Sequence, residues 1–208
     1  MKFPAELPPD NLIFGHESLT LFGWLDPQTL PKDGVLKEGM GLPPLHDSHK
    51  SSIQDLASEY HFEFFRQSHF RHYPSRMLAC QLLISESDAA EYARRFPAKT
   101  VGRQLYQLTS EGTYTCSYHD AGWLEYASLP VSLDLEALGK VAHGYWAGKR
   151  VSRLSELPYE VELPLDSSMQ EALFVGTLRI QPVGYVAQHG ASPQHSSPLG
   201  LTLALGRW

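Results

Sequence analysis

The amino-acid sequence predicts an α+β domain with a mostly antiparallel sheet, and three observations lead there. Residues 53–68 carry an amphipathic helical stripe, and Met77 to Ile84 form an almost continuous apolar run whose length suits a buried strand. The order of elements also lacks the regular strand and helix rhythm of a doubly wound fold. The chain has 208 residues, 42% of them hydrophobic, enough to bury a core within one domain spanning 1–208. Helices near 53–68, 87–96 and 134–146 are expected around a central mixed sheet.

Residues 1–17 are rich in Pro and polar groups and read as a lead-in arm without regular structure. Ser18 to Leu25 is the first expected strand, and in DPQTLPKDGVLKEGMGLPP Pro and Gly punctuate a short helical turn around Val35 and Leu36. Residues 43–50, with His46 and His49, read as surface loop. In the first long helix Ile53, Leu56, Ala57, Tyr60 and Phe64 form the apolar stripe, Ser52 and Asp55 a cap-like start, and Glu59, Glu63 and Arg66 the polar face. A turn at Tyr73 and Pro74 leads through Ser75 and Arg76 into the apolar strand. Ser85 and Asp88 then cap a second helix with Ala89, Tyr92, Ala93 and Phe96 on its apolar side, which Pro97 ends.

Val101 to Leu108 and Thr113 to Tyr118 read as two strands of a hairpin turning at Ser110, Glu111 and Gly112. His119 to Ala127 is loop or short helix. Leu135, Leu138, Val141, Ala142 and Tyr145 mark a third helix. Residues 149–168 are irregular, Glu171 stands directly before the strand-like ALFVGTLRI, and residues 184–208 read as a polar linker and a closing strand.

A net charge of -6 and a pI near 5.9 argue against a nucleic-acid binder, which usually presents a basic face to phosphates. Cys80 and Cys116 both fall in predicted strands and read as free, buried thiols of a reducing compartment. The N-terminus has no apolar signal region and no window approaches a membrane span, so the expectation is a cytoplasmic protein in the cell that makes it. Export by a non-classical route would leave no mark. Among ten histidines no HExxH or CxxC spacing occurs, and no metal site is predicted. P-loop, GxGxxG and GxSxG motifs are absent as well.

Three separated segments, LFGWLDPQTLPKDGVLKEGMGLP, HYPSRMLACQLLISESDAAEYARRF and MQEALFVGTLRI, carry a resemblance in that order. The chain resembles the ADP-ribosyltransferase superfamily, in which a first strand precedes a phrase like "gvLkeGl". There a polar-entered strand leads into a helix, and a late glutamate stands before an apolar strand. More narrowly, FEFFR, YPSR, HDAGWL, HGYWAG and QEALFVG look like a bacterial family of uncharacterised ADP-ribosyltransferase-like domains, across residues 18–183.

The resemblance implies a split antiparallel sheet core with peripheral helices, and transfer of ADP-ribose from NAD to an acceptor, protein more than nucleic acid. The setting stays open among a toxin or effector delivered to another cell, a defence component and a housekeeping enzyme. Glu171 matches the catalytic glutamate and Ser75 the serine that begins the middle strand. Cleaving the nicotinamide bond builds positive charge on the ribose, which a carboxylate stabilises. Arg76 or Arg66 suits the diphosphate. Phe22 and Gly23 stand where such families often carry Arg or His, and His16 or His61 is the candidate substitute. Glu160 and Glu162 form a competing ExE pair, but the longer strand-like run favours Glu171.

Each candidate also has an ordinary structural account. Glu63 and Arg66 would then be a solvated helix pair, Arg76 a loop-closing residue, and Trp123, Tyr145 and Trp146 core aromatics. A catalytically silent relative that binds a protein partner or small ligand is the competing function, with the surface around Trp123 and Trp146 as its contact.

Overall fold

The computed structural model describes residues 11–37, 53–127, 135–151 and 169–183. Its strands are β1 (Leu12–Gly15), β2 (Thr20–Leu25), β3 (Val35–Leu36), β4 (Cys80–Leu83), β5 (Gln104–Asp120) and β6 (Gln170–Pro182). Its helices are α1 (Ile53–His69), α2 (Glu86–Arg95), α3 (Pro97–Thr100), α4 (Gly122–Ala127) and α5 (Leu135–Trp146). The three predicted long helices are present, and the sheet, expected to be mostly antiparallel, is antiparallel at every described pairing, but it closes on itself where the resemblance implied a split. Among the described residues no helix is long and apolar enough to cross a membrane.

Four strands close on themselves. β5 pairs with β2, β2 with β4, β4 with β6, and β6 returns to β5, while β1 and β3 hang on the outer edges of β5 and β6. Closure removes most exposed strand edge. Alternation along each strand fills the interior with Leu21, Leu25, Cys80, Leu82, Tyr106, Leu108, Cys116, Ala172, Phe174 and Leu178, all buried. Both thiols are buried and free, and burial pushes Cys80 up to about 11 and Cys116 up to about 12. Gly23 shares this inward alternation, and a Cβ there would meet Leu82 Cδ2 at 2.9 Å and Leu108 Cδ1 at 3.2 Å.

The expected hairpin at residues 110–112 is instead one bent strand. A turn signal at Gly112, which has φ +74°, is used as an irregularity in register between Glu111 and Thr115, so β5 continues and pairs with β6 along both halves. Other differences are local. β1 forms within the lead-in arm because β5 offers its edge, and Val35 and Leu36 pair with β6 as a short strand rather than a helical turn. The middle strand starts only at Cys80, because residues 75–79 form a tight turn in which Ser75 O accepts from the N–H of Leu78 and Ala79. Pro97 both ends α2 and opens α3 from its first turn.

The largest correction concerns α1. Tyr60 is 60% exposed and Phe64 71% exposed, and Ala57 is exposed too, so the described part of the expected apolar stripe faces solvent. Phe62 and Glu63 are buried instead, and Glu59 and Arg66 lie partly buried on the same inward side. The charges expected outside turn inward because cationic and hydroxyl partners await them there. The predicted cap at Ser52, the closing strand and the loop histidines His46 and His49 lie outside the described residues.

Two helical layers cover the ring. α1 and α5 pack Phe62, Val141, Ala142, Tyr145 and Trp146 over Leu173 of β6, and α2 packs Ala89 and Tyr92 over Phe22, Leu83 and Leu105. The Ser85 hydroxyl accepts the Asp88 N–H at the start of α2, while Asp88 Oδ1 accepts the Gln170 N–H at 2.9 Å, tying that end to the start of β6. Trp123 and Trp146 are buried, with indole N–H groups donating to the carbonyls of Lys149 and Phe62. They are core aromatics and do not form a partner-facing surface.

Close packing between α4 and α5 rests on Gly144, where an added Cβ would stand 2.4 Å from Trp123 Cζ2. Gly144→Ala should gain up to about 1 kcal/mol of helix propensity. It should lose about 1–3 kcal/mol to overpacking. Urea unfolding is therefore expected to report net destabilisation.

Candidate functional site

Arg76 and Glu171 lie 95 positions apart and meet inside the protein. Arg76 is 2% exposed and Glu171 6% exposed. Arg76 reaches Glu171 because the turn at residues 75–79 turns its side chain under α1, while β6 carries Glu171 opposite Leu83 of β4 and His119 of β5. Nη1 of Arg76 donates to Glu171 Oε1 and, at 2.6 Å, to the Tyr145 hydroxyl. Tyr145 in turn donates to Glu171 Oε1 at 2.5 Å. The remaining edge of the guanidinium, Nε and Nη2, takes both oxygens of Glu59 at 2.9 Å each.

One cation thus sits between two carboxylates. Burial disfavours the Arg76 charge, but Glu171 and Glu59 more than offset it and hold the guanidinium well above its ordinary value. Burial pushes Glu171 up, and Arg76 and the Tyr145 hydrogen bond only partly reverse this, leaving its carboxyl above the usual range. Burial and then the Glu171 charge keep the Tyr145 phenol protonated. From α2, Tyr92 faces the same charges, and burial followed by Glu171 pushes it up to about 12.

Ser75 is next to Arg76 in sequence, but its hydroxyl turns the other way and donates to Glu63 Oε2 at 2.9 Å. Glu63 also holds Arg66 through two bonds of 3.0 and 2.7 Å, and Arg66 Nη1 donates to the Tyr73 carbonyl at 3.0 Å. Burial raises Glu63, yet the bonds from Arg66, Gln67 and Ser75 outweigh it and leave the carboxyl lowered. Arg66 and Ser75 therefore belong to a second cluster that fastens α1 to the turn at Tyr73. The Glu63–Arg66 pair is largely enclosed, not a solvated surface pair.

The sheet register relates the first strand to this site. Phe22 pairs with Leu83, and Leu83 with Glu171, so Phe22 and Glu171 share one row and one outer face two strands apart. The side chain at position 22 is apolar and half-buried against the cluster of Leu83, Ala89 and Leu105, which Tyr92, Trp24 and Phe96 also cover. Gly23 points into the barrel, where a side chain does not fit. His61 is partly buried on α1, and its Nε2 is a buried atom without a partner; no contact joins it to Arg76 or Glu171 among the described residues. His16 is exposed beside β1, and Glu160 and Glu162 lie outside the described residues.

Three groups in or beside the cluster escaped the sequence. Glu59 read as surface, Tyr145 as packing, and His119 as part of a loop. His119 is the penultimate residue of β5, buried, with its ring stacked on Tyr145 at 4.4 Å and 16°. Its Nδ1–H donates to the Tyr145 carbonyl at 2.9 Å, and because burial keeps the ring neutral, Nε2 accepts from the Ser117 hydroxyl at 2.8 Å. Neighbouring Asp120 accepts the N–H groups of Gly122 and Val151.

The arrangement offers a carboxylate held on one oxygen by a protonated phenol and a guanidinium, next to an aromatic surface. No cluster of metal-ligating side chains exists among the described residues. Residues 36–170 match the family model described as Protein of unknown function (DUF2441), well over half of the chain. The match takes in Glu59, Ser75, Arg76, His119 and Tyr145 and stops one residue before Glu171. No curated protein matches the chain.

Burial moves His119 from 6.5 down to about 3, so the unfolded chain binds a proton that the native one refuses. Its contribution to stability is complete above about pH 6.5 and falls away toward pH 3. Going from pH 7 to 5 should cost about 2 kcal/mol through this group. Urea unfolding of wild type and His119→Asn at both pH values is expected to show that difference only in the wild type.

Proposed function

The chain belongs to the DUF2441 family, and for this member we propose transfer of ADP-ribose from NAD to an acceptor, with Glu171 as the catalytic carboxylate. The observation that carries the proposal is the meeting of Arg76 and Glu171 in one cluster, on the sheet face that also presents the first-strand position Phe22. The ordered motifs of the sequence support the same reading, while the sheet closes into a ring and is not the split sheet that the resemblance implies.

In this reading the glycosidic bond between ribose C1′ and the nicotinamide nitrogen breaks, and its electron pair leaves with nicotinamide. The Glu171 carboxylate stabilises the positive charge left on the ribose. The acceptor then forms the new bond to C1′ and gives up its proton. Arg76, expected from the sequence to suit the diphosphate, is committed here to Glu59, Tyr145 and Glu171, so in this reading it orients the Glu171 carboxylate instead. Tyr92, Phe22 and Trp24 offer an apolar wall for a ring. Net charge of -6 favours a protein acceptor over nucleic acid, and the setting we propose is that of an effector acting in another cell.

A specific observation supports a second reading, a catalytically silent relative that binds a partner or small ligand. Phe22 supplies no polar group where the ADP-ribosyltransferase families that the chain resembles often carry Arg or His, and Glu171 is already paired and buried.

Calorimetry with NAD and a nicotinamide-release assay separate the two. For the enzyme, heat of binding and slow release are expected from wild type, and Glu171→Ala should lose at least about a hundredfold in rate. Release unchanged in Glu171→Ala removes Glu171 from the site, and no heat with NAD favours the silent relative.

A further inference from the structure

The two oxygens of Glu171 are treated differently by the protein. Oε1 accepts from both Arg76 and Tyr145, whereas Oε2 accepts no hydrogen bond among the described residues. A guanidinium normally takes a carboxylate through both oxygens. Arg76 does not do so here: its Nε and Nη2 pair with Glu59, and Nη1 alone donates to Glu171. The second bond to Oε1 comes from the Tyr145 hydroxyl instead.

Tyr145 is itself held on several sides. Its ring stacks on His119 and makes edge contacts with Phe62 at 5.2 Å and Trp146 at 4.9 Å. Its carbonyl accepts from His119, whose other nitrogen is fixed by Ser117. The hydroxyl is therefore aimed by the core and is free of surface motion.

We propose that Tyr145 is a positioning residue for Glu171: together with Arg76 it fixes Oε1 and leaves Oε2 to meet the ribose of NAD. This rests on the ADP-ribosyl transfer proposed above. The charged and titratable groups around the carboxyl are Arg76 from the turn, Glu59 from α1, Tyr145 from α5, His119 from β5 and Tyr92 from α2, and Arg103 before β5 acts on Tyr92. Of these, Arg76 and Tyr145 are the two that hydrogen-bond the ionised form, against burial and the like charge of Glu59.

Tyr145→Phe removes the hydroxyl and keeps the ring. With NAD as probe, nicotinamide release should lose about tenfold in kcat with KM little changed, and its acid limb should move up by about one pH unit. Carbon-13 resonances of glutamate carboxyls, with Glu171→Gln to assign the signal, should show the Glu171 midpoint rising by a similar amount. A Tyr145 that only packs would lower the melting temperature and leave both the acid limb and the midpoint in place, which overturns the proposal. No turnover in wild type together with a raised midpoint in the variant overturns the NAD chemistry alone, and the hold of Tyr145 on Glu171 stands. If Tyr145→Phe does not fold, 3-fluorotyrosine at position 145 supplies a stronger donor. The Glu171 midpoint should then fall, and an unchanged midpoint overturns the proposal.

Discussion

A buried guanidinium between two carboxylates is the constraint to which much of the described structure answers. Arg76 is charged at every pH at which the protein is folded, and a lone charge in this position would cost several kcal/mol. α1 brings Glu59, β6 brings Glu171 and α5 brings the Tyr145 hydroxyl, so three elements must dock before the charge is compensated. The pairing is an instruction about arrangement more than a source of net stability, since desolvation consumes much of the Coulomb attraction. It also explains why α1 turns a charged side inward and leaves Tyr60 and Phe64 in water.

The fold was legible where local chemistry decides it. Ser85 and Asp88 cap α2 as their spacing suggests, and the apolar periodicity of residues 135–146 gives α5. Legibility failed where a distant partner decides. The stripe of α1 has the period of a buried face, but the face that binds Arg76 and Ser75 is the charged one, and those partners come from the following turn. Gly112 carries a turn composition, yet β6 pairs with β5 on both sides of it and keeps the strand running. β1 has too little pattern of its own and exists because β5 has a free edge.

The candidate site was half legible. Arg76 and Glu171 were visible as a cation at a strand entrance and an acid before an apolar run, and they do meet. Ser75 joins them only through the resemblance, as the serine that begins the middle strand, and the tight turn sends its side chain and that of Arg76 to different carboxylates. Tyr145 and His119 are indistinguishable in sequence from packing residues. The signal for both is the polar atom each carries into the core, which obliges a partner there. The two apolar-looking positions of the first strand also prove unlike: Gly23 is dictated by Leu82 and Leu108 inside the barrel, whereas Phe22 lies on the outer face where chemistry is open to change.

The closed ring has a consequence for how the chain is made. Synthesis runs from the N-terminus, and the strand that closes the ring is β6, the last element described. β2, β4 and β5 can pair only as an open sheet until residues 170–182 have left the ribosome, and every ring contact made by β6 spans a long stretch of chain. Glu171 arrives with that same strand. Until then Arg76 has only Glu59 and the Tyr145 hydroxyl, and α1 lacks the β6 part of the surface it settles on, so the nascent protein waits for its closing strand before its interior can become dry.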